Sequence, residues 1–189
     1  QLTGTMPHAQ ADRKPATRTI IRICIGAAAA VAFFVLGIWT SGKLSEHVAG
    51  RELLTVSVPS GQRMSLTLGD GTTVDLNSGA ELTYPAVFRG KKRNVKLEGE
   101  ALFHVVHDEK KPFTVNTFAA DIKVLGTEFN VNSDRSSGTF SVALVEGSVL
   151  LSNTLNPGEH IVMHPDEKVT LIKDHMILQE YEASKDAIW

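Results

Sequence analysis

From Leu53 onward the chain alternates apolar and polar residues in short runs, and this pattern restricts its fold more than any other feature. "LLTVSVPSGQRMSLTLGDGTTVDLNSGAELTYP" (residues 53–85) is interrupted by turn formers at Ser60-Gly61, Gly69-Asp70-Gly71 and Ser78-Gly79. A period of two sends successive side chains to opposite faces, as in half-buried strands joined by tight turns. The texture continues through "NVKLEGEALFHVVH", "FTVNT", "DIKVLGTEFNVNS", "TFSVALVEGSVLLS", "EHIVMH" and "KVTLIK". No amphipathic helix separates these runs, which disfavours a parallel sheet with helical crossovers. The expectation is all-β: an irregular β-solenoid or a sandwich-like domain over residues 53–175.

A second feature lies ahead of it. "TIIRICIGAAAAVAFFVLGIWT" (residues 19–40) carries no charge from Ile23 through Trp39 and approaches the length that crosses a bilayer. It is longer than the apolar part of a signal peptide and lacks an Ala-x-Ala exit. We therefore expect one transmembrane helix at 19–40. Arg13, Lys14, Arg18 and Arg22 precede the run against the single acid Asp12, whereas Lys43 and Glu46 follow it. The positive-inside bias then puts residues 1–18 in the cytoplasm and the rest outside it. Residues 41–52 read as a polar stalk and 176–189 as a linker towards a further domain, with "YEASKDAIW" (181–189) helical or linker-like.

Charge and chemistry exclude several classes. Of 19 Lys+Arg and 21 Asp+Glu in the chain, 15 and 20 remain after Ser41, so the exported part is mildly acidic and offers no nucleic-acid footprint. The lone cysteine, Cys24, lies in the apolar run and rules out an intrachain disulfide. No Gly-x-Ser-x-Gly elbow is present. His104 and His107 point to opposite faces of a strand, and His160 and His164 stand roughly 13 Å apart on extended chain. A cupin-like metal site is therefore disfavoured. Glu98 and Glu100 flank Gly99 as a solvated strand face. Lys91, Lys92, Arg93 and Lys96 form one basic cluster, suited to a charged hairpin tip, an acidic partner or lipid headgroups. Neither an enzyme nor a cofactor is expected. An exposed sheet edge could instead bind a partner strand through main-chain hydrogen bonds.

In order along the chain stand "LTLGDGTTVDLNSGAELTYP" (66–85), "VKLEGEALFHV" (95–105), "KPFTVNT" (111–117), "VLGTEFNV" (124–131), "VALVEGSVLL" (142–151) and "LNPGEHIVM" (155–163). With these pieces behind an apolar segment of the right polarity, residues 56–169 resemble the FecR family, bacterial single-pass inner-membrane regulators of extracytoplasmic-function sigma factors. The resemblance implies a periplasmic all-β module. It also implies two partners: a sigma factor held through a cytoplasmic region, and the N-terminal signalling domain of a TonB-dependent outer-membrane transporter. It further implies that the chain is a fragment, lacking a helical domain before the membrane segment and a small α/β domain after the β region.

The motif residues read as architectural rather than as a binding set. Gly99, Gly126 and Gly147 fall at turns or bulges, with Phe103, Phe113 and Phe129 in the core. Pro112 leads into an edge strand, because it has no N–H for a ladder. Glu100, Thr127, Pro157 and Gly158 complete the set. The competing reading is a membrane-tethered periplasmic module that binds a ligand or glycan, without a sigma factor.

Overall fold

All the regular structure among the described residues is β-strand, as the alternating pattern requires. The computed structural model describes residues 52–181. The expected membrane helix, its cytoplasmic flank, most of the stalk and the end of the tail lie outside the described residues.

Two sheets form. The first runs in the order β1 (Leu53–Ser57), β4 (Glu81–Pro85), β5 (Arg93–His104), β6 (Phe113–Asn116), β7 (Ala120–Val124), β10 (Val149–Asn153) and β11 (His160–Met163). The second runs β2 (Met64–Thr67), β3 (Thr73–Leu76), β5 again, β8 (Glu128–Asp134), β9 (Thr139–Glu146), β12 (Glu167–Ile172) and β13 (His175–Glu180). Successive hairpins alternate: β6–β7 joins the first sheet, β8–β9 the second, β10–β11 the first and β12–β13 the second. Both sheets thus grow together along the chain.

The long β5 belongs to both sheets. Residues 93–98 pair with β4 and β6, and residues 99–104 pair with β3 and β8. Gly99 marks the changeover, with φ of +93°. A Cβ there would lie 2.7 Å from Ala80 Cα, so both the backbone conformation and the close approach require glycine. The β5–β6 pair is parallel yet needs no crossover helix. The second half of β5 and the loop after it carry the chain back.

Burial follows the sequence alternation. Val74 and Leu76 on β3, Phe113 and Val115 on β6, and Val149 and Leu151 on β10 are fully buried, each beside a more exposed neighbour. Phe103 stacks on Phe129 across the β5–β8 pair, centroids 5.2 Å apart, and meets Phe113 of the first sheet at 6.2 Å. These rings join the two inner faces into one core. Removing each from water stabilises the fold by about 1.5–3 kcal/mol. The core cluster runs from Val58 to Met176 and all thirteen strands pair among themselves, so residues 52–181 carry their own core.

Three expectations need correction. β6 is flanked by β5 and β7, so Pro112 precedes an interior strand rather than an edge. Its missing N–H costs nothing because it lies one residue outside the ladder, where its carbonyl accepts the Arg93 N–H at 3.0 Å. Arg93 itself is 2% exposed and is not part of a charged tip. The last strand also runs to Glu180, into the stretch read as a tail. Among the described residues the free edges are β1 and β11 in the first sheet, β2 and β13 in the second.

Candidate functional site

The loops around Arg93 form the most organised polar centre of the described residues. Its Nη1 donates to Asp70 Oδ2 and to the Val106 carbonyl, both at 2.9 Å, and its Nε donates to the Lys111 carbonyl at 2.8 Å. The Phe113 ring lies 5.5 Å from the guanidinium carbon. Asp70 also accepts from the Thr72 N–H and hydroxyl at 3.1 and 2.8 Å, and Thr72 Oγ1 accepts the Val106 N–H. One side chain therefore fixes the β2–β3 turn and the loop between β5 and β6. Only a planar multi-donor cation can serve three acceptors in this way. Nη2 remains buried without a hydrogen-bond partner among the described residues. This centre escaped sequence reading because its members are far apart in the chain. The short signal "GDGTT" could have suggested an Asx-type turn, though not its partner.

Gly126, Thr127 and Gly147 come together where the chain passes between sheets. A Cβ on Gly126 would meet His107 Cα at 2.5 Å, and one on Gly147 would meet the Gly126 carbonyl at 2.9 Å. Thr127 is buried, and its hydroxyl donates to the Ser148 carbonyl at 3.1 Å. Three crossings of the chain are thereby stacked in contact. Beside them an open groove of about 490 Å³ is lined by Leu125, Leu150, Lys123 and His107. Its lining also includes Thr127 and Ser148.

Glu98, Glu100, His104 and His107 pair within the domain. Glu98 accepts the Arg135 N–H at 2.8 Å, while Glu100 accepts the Asn77 and Asn130 amides at 2.8 and 2.9 Å. The two carboxylates thus engage different partners. His104 lies between Asp75 and Glu128 at 3.6 and 3.4 Å, and His107 lies 3.7 Å from Glu109. Among the described residues no group of three or more His, Cys, Asp or Glu side chains is placed to hold a metal ion.

Pro157 and Gly158 belong to the turn between β10 and β11, which bears a second polar clasp. Asn153 donates to Glu159 at 2.5 Å and to the Asp174 carbonyl at 2.8 Å, and Glu159 accepts the Met176 N–H at 3.3 Å. The Asn153 amide, with Met176 and His175 behind it, holds the Glu159 carboxyl below its ordinary value. This clasp ties the tip of β12–β13 to the first sheet. Beyond it β13 is an exposed edge, with Ile177 and Leu178 facing solvent on opposite sides.

Comparison with known proteins supplies what the side chains do not. The family model described as FecR protein matches residues 54–150, about half of the chain. Two crystal structures of a candidate anti-sigma factor from Parabacteroides distasonis share 35% identity with the chain, at TM-scores of 0.69 and 0.68. The similarity covers 73% and 72% of this chain and 64% of each of those structures. No curated protein matches.

Proposed function

The chain belongs to the FecR family, and on that premise we propose that it is part of a regulator that relays a signal across a membrane to an extracytoplasmic-function sigma factor. The observation that carries this reading is the FecR match over 54–150, together with 35% identity to structures of a candidate anti-sigma factor. The family is regulatory rather than enzymatic in kind. The polar constellations described above agree with that, since each holds loops or hairpins in place.

The finer reading places the β domain in the periplasm, after a single inner-membrane helix at residues 19–40, with the N-terminus in the cytoplasm. The uncharged run and its four preceding cations support it. In this reading the domain answers to the signalling domain of a TonB-dependent transporter, and a free edge such as β13 offers main-chain groups for the contact. A domain tied together by buried networks moves as one body, so the signal reaches the stalk as displacement or as changed protease access.

Three measurements test the reading. Reporter fusions should place residue 12 in the cytoplasm and residue 60 in the periplasm. The intact membrane protein should co-purify with one extracytoplasmic-function sigma factor, and deleting its gene should change transcription from that factor's promoters. Unchanged transcription and no co-purification, with and without transporter substrate, would defeat the sigma-factor role.

A further inference from the structure

We propose that the Arg93 end of the domain is a docking surface for anionic lipid headgroups. Two loops meet there, residues 86–92 between β4 and β5 and residues 105–112 between β5 and β6, held by the Arg93 hydrogen bonds to Val106 and Lys111. Arg89, Lys91, Lys92, Lys110 and Lys111 are all exposed on these loops. Nearby acids are fewer. Asp70 is spent on Arg93, and Asp108 accepts the Lys110 and Lys111 N–H groups at 2.9 and 3.1 Å. Glu109 on the second loop and Glu52 beside Ala86 are exposed acids. A local excess of cations thus stands on a region that is acidic as a whole, with 15 Lys+Arg against 20 Asp+Glu after Ser41.

Aliphatic side chains are interleaved with the cations. Val87 is 47% exposed, Val106 45% and Leu53 65%. Cations that meet phosphate around apolar side chains that enter the headgroup layer are the pattern of an interfacial surface. An acidic protein surface would match the same features, and position decides between the two.

Position selects the lipid. The chain enters the domain at this same end, since the Ala86 N–H donates to the Glu52 carbonyl and Leu53 pairs with Pro85. This step rests on the reading of residues 19–40 as a membrane anchor. Stalk residues 41–52 then reach at most about 40 Å when fully extended, which keeps the basic loops close to the bilayer.

The test uses residues 52–181, which carry their own core, without the anchor. Co-sedimentation compares phosphatidylglycerol–phosphatidylcholine vesicles with pure phosphatidylcholine vesicles. The domain should bind the anionic vesicles preferentially and release at high salt. Lys91→Glu/Lys92→Glu should reduce partitioning by about tenfold, whereas the charge-matched Arg135→Glu/Lys173→Glu pair, at the opposite end, should leave it within about twofold. Unfolding midpoints of both variants check that the fold is intact. Equal binding to neutral vesicles, equal loss in both variants, or binding to polyglutamate in place of vesicles overturns the proposal. Carbonate extraction of the full chain tests the anchor separately, so failure of one reading is distinguishable from failure of the other.

Discussion

Arg93 and Asp70 form a buried ion pair at 2.9 Å, with side chains 3% and 14% exposed, across 23 residues of sequence. Removing one partner strands the other charge where water has little access. Asp70→Ala should therefore destabilise the domain by about 3–5 kcal/mol, read as a drop in the urea midpoint. Asp70→Leu combined with Arg93→Met removes both charges and should cost distinctly less. If the double variant is as unstable as the single one, the cost lies in the hydrogen bonds that tie the loops to Arg93 and not in a stranded charge.

His107 and Gly126 define a second test. A methyl group on Gly126 would sit 2.5 Å from His107 Cα, a backbone atom that cannot rotate away. Gly126→Ala should cost about 1–3 kcal/mol by forcing the stacked crossings apart. Gly138→Ala meets nothing within 4 Å but has φ of +70°, so its cost should come from backbone strain alone. Thermal unfolding of both variants separates the two effects: His107→Gly removes the Cβ and ring contacts at 2.6 and 2.7 Å but keeps the Cα, so it should relieve Gly126→Ala only in part and leave Gly138→Ala unchanged.

The strands were legible because their signal is local. Val74, Leu76, Phe113 and Val115 alternate with polar neighbours, and each run is bounded by its own turn residues. The order of strands was not legible, because pairing depends on contacts between residues far apart in sequence. Pro112 shows the limit. A residue without an N–H suggests an edge strand, but a position one residue before the ladder satisfies the same constraint in the sheet interior. Arg93 shows another. In sequence it sits among lysines and reads as surface charge, and only the arrival of Asp70, Val106 and Lys111 makes its burial tolerable. The burial of Phe103, Phe113 and Phe129 and the positive φ of Gly99 follow from local sequence, since these residues act on the core and the backbone. A partner surface built from main-chain edges and solvated lysines leaves no comparable signature.

Asn153 and Glu159 hold the final hairpin to the first sheet. Replacing Asn153 with Ala removes the donor to Glu159 and to the Asp174 carbonyl, and leaves Leu155 and Asn156 N–H groups without their acceptor. A loss of about 1–3 kcal/mol follows, concentrated in local opening of β12–β13. Hydrogen exchange should show faster exchange at Met176 and the neighbouring hairpin amides, with β5 and β8 unchanged. Uniform acceleration across both sheets would show that the hairpin does not open by itself.

Asp134 supplies a prediction in pH. The Ser136 hydroxyl, then the Ser137 hydroxyl and the Ser136 N–H, donate to its carboxylate and lower its pKa from 3.8 to about 2. A carboxyl whose folded pKa is depressed favours folding above its unfolded pKa, and that contribution disappears as pH falls through the folded value. The β8–β9 turn should therefore stay ordered through the range near pH 4, where an ordinary aspartate protonates, and loosen only towards about pH 2. Side-chain carboxyl shifts followed by NMR should place the Asp134 midpoint well below those of unengaged aspartates. Ser136→Ala/Ser137→Ala should raise it towards 3.8. A midpoint that stays low in this variant would mean that the remaining backbone N–H donors, and not the two hydroxyls, hold the charge.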